Sequence, residues 1–127
     1  MATIHPLNWY AGWTLILAAF LTGAGIGLFF HREDFWGGYT SFRRRLVRLG
    51  HIAFAALGAL NVLFSIATPD EASASIHVAS VLLLIGAISM STICFLTAWR
   101  ESFRRLFFIP ATSLMLAVVL VLVGGAP

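Results

Sequence analysis

The sequence predicts an all-α, polytopic membrane protein folded as an antiparallel four-helix transmembrane bundle. Of its 127 residues 60% are hydrophobic and only 10% charged, against about 25% charged in soluble domains. The apolar residues gather in four runs, 9–30, 49–68, 75–99 and 106–124. The charged residues gather between the runs. A mean hydropathy of +0.94 leaves too little polar surface to cover a soluble core, and lipid removes that need.

Each run is long enough on its own. A spanning helix takes about 20 apolar residues. The first run, 9–30, holds no charge. No Lys or Arg precedes it, and positive charge follows it, so it reads as a retained helix and not as a secretory signal. The second run, 49–68, stops at Pro69, Asp70 and Glu71. The third, 75–99, follows a short connector. Pro110 falls near the start of the fourth, where a missing N–H matters least. Short connectors make successive helices antiparallel neighbours. The whole chain, 1–127, reads as one transmembrane domain.

Orientation follows from the arginines. All eight basic residues are Arg. Arg32, Arg43, Arg44, Arg45 and Arg48 lie in or beside the loop 31–48, and Arg100, Arg104 and Arg105 between the third and fourth runs. The positive-inside rule makes that side cytoplasmic and puts both termini on the other. The high pI of about 10.0 therefore points to topology and to anionic phospholipid at the Arg-rich loops, cardiolipin included, and not to nucleic acid. Trp9, Tyr10, Trp13, Trp36 and Trp99 suit interfacial belts.

Helices in lipid associate by close backbone approach and hydrogen bonds. Ala18, Ala19, Thr22, Gly23 and Gly27 offer the first helix a small-residue face. Gly23 and Gly27 form a GxxxG, which serves packing within the bundle or a homo-oligomer. His51, Ala55, Gly58 and Ala59 do the same in the second helix, as do His77, Ser80, Ala87, Ser91 and Cys94 in the third. Asn61, mid-span, demands a hydrogen-bond partner, for which Ser89 or Ser91 are candidates. Cys94 reads as a small packing residue.

Four histidines remain. The topology places His31 and His51 at the cytoplasmic ends of the first and second helices, and His5 and His77 on the outer side. One reading makes His31 and His51 the ligands of a metal, of haem b, or the partners of a quinone headgroup. Gly27, Ala55 and Gly58 would leave room for a flat macrocycle, and Arg44 and Arg48, with Arg43 and Arg45, would meet its propionates. Glu33 or Asp34 would assist a bare metal. The other reading makes them interfacial side chains bonding to headgroups, water or backbone. His51 and His77 lie too far apart along the membrane normal to share a metal.

No span carries an embedded Asp, Glu, Arg or Lys, which argues against ion-coupled transport. There is no phosphate loop, HExxH or CxxC. The expectation is a small integral subunit of a larger membrane assembly, respiratory or photosynthetic, with a structural role and no catalysis of its own. The alternatives are a haem b- or quinone-binding redox protein using His31 and His51, and a small oligomeric channel or exporter.

Overall fold

The computed structural model describes residues 6–68 and 72–124. Helix α1 runs Pro6–Phe29, α2 Phe42–Ala67, α3 Ala74–Trp99 and α4 Phe108–Gly124. Two 3₁₀ segments, Phe35–Gly37 and Glu101–Phe107, connect α1 to α2 and α3 to α4. No strand occurs among the described residues. Four helical spans are long and apolar enough to cross a membrane, the fourth counted with its 3₁₀ lead-in from Glu101. The 26 residues of α2 or α3 rise about 39 Å, against roughly 30 Å of hydrocarbon.

The main departure from the apolar runs is at α2. It begins at Phe42, seven residues before the charge-free run at Leu49. Charge interrupts an apolar run but not a helix, because Arg is a good helix former. Ser41 caps this end, its hydroxyl accepting from the Arg44 N–H at 3.1 Å. Leu46 and Val47 turn inward while Arg45 and Arg48 turn out. The loop before α2 doubles back at Trp36, Gly37 and Gly38, all with positive φ. Two of the three are glycines, which adopt that conformation without a Cβ penalty.

The helices pack in chain order. Helix α1 lies on α2, α2 on α3 and α3 on α4, while α1 meets α3 only slightly. At the α1–α2 crossing Gly12 and Gly58 face each other. A Cβ on Gly12 would stand 2.7 Å from the Gly58 carbonyl oxygen, and one on Gly58 2.8 Å from that of Gly12. Any side chain at either position would push the helices apart. At the α2–α3 contact Gly50 admits Cys94 and Phe95, and at the α3–α4 contact Gly86 admits Leu114. Cys94 is thus a fully buried packing residue. Phe64, Ile76, Ala79, Leu83 and Ala117 form one core cluster at the end remote from the arginines. Leu46, Val47, Cys94 and Ala98 form another beside them.

Candidate functional site

Two groups of buried polar side chains bond across the helices, one toward each end of the bundle. At the level remote from the arginines, Asn8 of α1, Asn61 of α2 and Ser80 of α3 converge. Asn8 Nδ2 donates to Asn61 Oδ1 at 2.8 Å and, more weakly, to the Ser80 carbonyl at 3.4 Å. The Ser80 hydroxyl donates to Asn8 Oδ1. Asn61 Nδ2 donates to the Leu57 carbonyl at 2.9 Å. Every member has a partner, as an amide in hydrocarbon requires. Asn61 does join helices, but its partner is Asn8. Ser89 instead bonds back to the Ile85 carbonyl, and Ser91 Oγ has no partner. Asn8 lies one position before the apolar run and inside the first turn of α1.

At the arginine-rich level, Arg44 is 1% exposed. Its guanidinium lies between the rings of Phe30 and Tyr39, 4.2 and 4.0 Å from their centroids. Nη1 donates to the Arg32 carbonyl at 3.0 Å and Nη2 to the Phe30 carbonyl. These carbonyls follow α1, whose last C=O groups lack helical partners and carry partial negative charge. Arg43, next in sequence, reaches the other way. Its Nε donates to the Ala98 carbonyl at 2.6 Å and its Nη2 to that of Trp99 at 3.2 Å, and it stacks near Trp36. Arg44, expected on a cofactor carboxylate, is thus enclosed by its own chain. Arg45, Arg48, Arg100, Arg104 and Arg105 are exposed. Arg32 pairs with Asp34 at 3.1 Å on the surface, where such a pair contributes little.

The histidines separate. His51 stands nine residues into α2, about 13 Å from its start, and so deeper than a helix-end position. Its ring lies on Gly23, where a Cβ would come within 2.6 Å of Cε1. Its Nδ1 is 3.3 Å from the Thr22 hydroxyl oxygen. His31 lies beyond the end of α1, exposed, past the six helical residues from Gly23 to Phe29 that rise about 9 Å. The side-chain contact of His51 is thus with Thr22 and Gly23 of α1, while His31 is exposed on the segment after it. His77 is exposed in the first turn of α3, at the opposite end. His5 falls outside the described residues. Among the described residues no three of His, Cys, Asp and Glu gather to hold a metal ion.

The glycines expected to accommodate a macrocycle divide as well. Gly58 is filled by Gly12 and Ile16, Gly23 by His51, and Gly27 is open, with no atom within 4 Å of where its Cβ would stand. The two glycines of the GxxxG thus face different surroundings. An apolar groove between α2, α3 and α4, lined by Leu60, Phe64, Thr68 and Val118, has one hydroxyl, which donates to the Phe64 carbonyl. The hydroxyls of Thr14, Thr22, Ser89, Thr92 and Thr112 likewise bond back to their own helices.

Asn8 carried no signal in the sequence, because its partners Asn61 and Ser80 lie on other helices; Thr22 bonds back to its own helix and meets His51 only through the packing of α1 on α2. No known family model, characterised relative or solved structure matches the chain. Fold and site together define a multi-pass helical membrane protein in which the buried Asn8, Asn61, Ser80 and Arg44 bond one helix to another or to the segment that follows it.

Proposed function

We propose that the protein is a small accessory subunit of a larger membrane assembly, docking a transmembrane helix of another subunit on the outer face of α1. The reading rests on Gly25. A glycine within a helix loses about 1 kcal/mol relative to alanine. Gly12, Gly23 and Gly58 offset that loss by close contact within the chain. Gly25 does not: no atom lies within 4 Å of its absent Cβ. With Ala24 it interrupts a lipid-exposed face otherwise made of Leu17, Leu21 and Leu28. In lipid, a small residue on a helix surface gains only from the close approach of a second helix. An accessory role suits an electron-transfer complex, the setting expected from the sequence.

The test is extraction from the native membrane in mild detergent, followed by native mass measurement. Wild type is expected in a complex heavier than the 13.8 kDa chain and containing other polypeptides. Gly25→Leu, which meets nothing inside the chain, is expected to leave the helical fold and its melting unchanged and to release the chain. Recovery of wild type as a monomer under all mild conditions overturns the proposal.

A further inference from the structure

We infer that the 3₁₀ segment Glu101–Phe107 holds the headgroup of an amine-bearing phospholipid, phosphatidylethanolamine, in a recess formed by Glu101, Ser102, Arg104 and Arg105. This goes beyond the accessory role and does not depend on what docks at Gly25.

The winding of the segment makes the recess. A 3₁₀ helix has three residues per turn, so side chains three apart eclipse one another. Phe103 stands over Leu106, both half-buried, and Phe107 packs against the cluster of Leu46, Val47, Cys94 and Ala98. The other two rows, Glu101 over Arg104 and Ser102 over Arg105, are exposed. These four residues line a recess of about 350 Å³, within the roughly 300–1,000 Å³ of small-ligand sites. Runs of 3₁₀ beyond three or four residues are uncommon, and this one has seven. Pro110 offers the Leu106 carbonyl no N–H, so an α-helical bond that would rewind the segment is missing.

The recess carries both signs of charge, and neither is used within the chain. Among the described residues none of the four side chains has a hydrogen bond or an ion pair. Glu101 stands over Arg104 without pairing with it. A topology signal requires arginine alone, since acidic residues contribute little to orientation. A carboxylate beside two unpaired guanidinium groups suits a ligand that is itself a zwitterion.

The order of the charges selects the ligand. The segment leads into α4 without a break. The 17 residues of α4 rise about 25 Å, short of the roughly 30 Å of hydrocarbon. Leu106 and Phe107 add about 4 Å. Arg104 and Arg105 therefore stand where hydrocarbon ends, at the level of lipid phosphates. Glu101 stands one turn, about 6 Å, farther out. A phospholipid presents its groups in the same order, the phosphate next to the glycerol and the ethanolamine ammonium beyond it. The guanidinium groups hold the phosphate through charge-assisted hydrogen bonds, and the Ser102 hydroxyl donates another. Glu101 accepts from the ammonium. A choline head has no N–H to give it, and a glycerol head has no cation.

Dioctanoyl lipids titrated into the purified full-length protein in mild detergent, with bound lipid counted by native mass spectrometry, test the assignment. Phosphatidylethanolamine and phosphatidylcholine share a phosphate and zero net charge, so general attraction to the basic end cancels between them. Wild type is expected to bind the ethanolamine lipid roughly fivefold more tightly, the upper end of what one exposed ion pair contributes. Glu101→Gln should abolish that preference and strengthen phosphatidylglycerol, which no longer meets a carboxylate. Arg104→Gln combined with Arg105→Gln should weaken all three lipids by roughly tenfold or more. Arg45→Gln, exposed and outside the recess, should bind as wild type. All these positions are exposed, so circular dichroism should be unchanged. Soluble phosphoethanolamine, which lacks the acyl chains, should bind roughly a hundredfold more weakly than the lipid. Binding it as tightly as the lipid would assign the recess to a free metabolite and overturn the lipid site. Equal affinity of wild type for the two zwitterionic lipids, or a preference that survives Glu101→Gln, also overturns the inference.

Discussion

Arg43 and Arg44 are neighbours in sequence and close the C-terminal ends of two different helices. Arg44 holds the carbonyls after α1, and Arg43 those of Ala98 and Trp99 at the end of α3. Side chains at successive positions of a helix point about 100° apart. At the start of α2, which lies between α1 and α3, successive positions therefore reach opposite neighbours. Each guanidinium meets the negative end of an antiparallel helix dipole. The arginines that set topology in the sequence thus also fasten the bundle at one end.

Arg44→Ala should be among the most destabilising single changes in the chain. It removes charge-assisted hydrogen bonds, each contributing roughly 1.5–3 kcal/mol, and stacking on two rings contributing about 0.5–2 kcal/mol. Arg44→Lys should rescue little, because an ammonium has neither the planar fork nor the flat face. Thermal melting in detergent, followed by circular dichroism, should rank Arg44→Ala and Arg44→Lys well below Arg45→Ala, whose side chain is exposed. Equal melting of Arg45→Ala and Arg44→Ala would show that the clamp carries no stability.

The amide cluster at the other end should behave as a unit. Asn8→Ala leaves Asn61 Oδ1 and the Ser80 hydroxyl without their partner, and Asn61→Ala leaves an Asn8 donor without its own. Interhelical hydrogen bonds in membranes contribute about 0.6–2 kcal/mol, and orphaned groups add to the loss. The double variant should lose clearly less than the sum of the two singles, because residues in one network couple. A double-variant cycle on unfolding free energy in mixed micelles measures this. Strict additivity would mean that Asn8 and Asn61 do not interact.

Which parts of this were legible in the sequence follows from how far each interaction reaches along the chain. The four spans were visible because hydropathy is local. The true start of α2 was not, because the charge-free run ends at Arg48, and charge marks the edge of hydrocarbon and not the edge of a helix. This one displacement also moved His51 from a helix end to the third turn. The need of Asn61 for a partner was visible from its depth. That the partner is Asn8, 53 positions away, was not, since many hydroxyls and amides satisfy the same demand. The roles of Arg43 and Arg44 were hidden for the same reason: carbonyls carry no sequence signature, and only packing decides which ones a guanidinium meets. The Gly23/Gly27 spacing suggested one face, yet a helix of 3.6 residues per turn carries the second glycine about 40° round from the first, enough to leave it uncovered.

The arrangement of the arginines also predicts an orientation. The 3₁₀ segment Glu101–Phe107 and the start of α2 lie at one end of the bundle, and they carry six of the eight arginines. Ala72, before α3, lies at the other end. Moving several guanidinium groups across hydrocarbon is far less favourable than leaving them on the side of synthesis, at roughly 2.5–3.5 kcal/mol for each one placed at the bilayer centre. The native Cys94 is buried, so introduced cysteines report their own positions. Arg45→Cys and Glu101→Cys should resist a membrane-impermeant maleimide added outside intact cells and react after permeabilisation. Ala72→Cys should react in intact cells. Labelling of Arg45→Cys and Ala72→Cys from the same compartment would mean that the helices between them do not cross the membrane, and labelling of Arg45→Cys alone from outside would invert the topology. Only the expected pattern puts the exposed Arg48 against the anionic inner leaflet, where about 1 kcal/mol of attraction per arginine holds that end of the bundle at the headgroups.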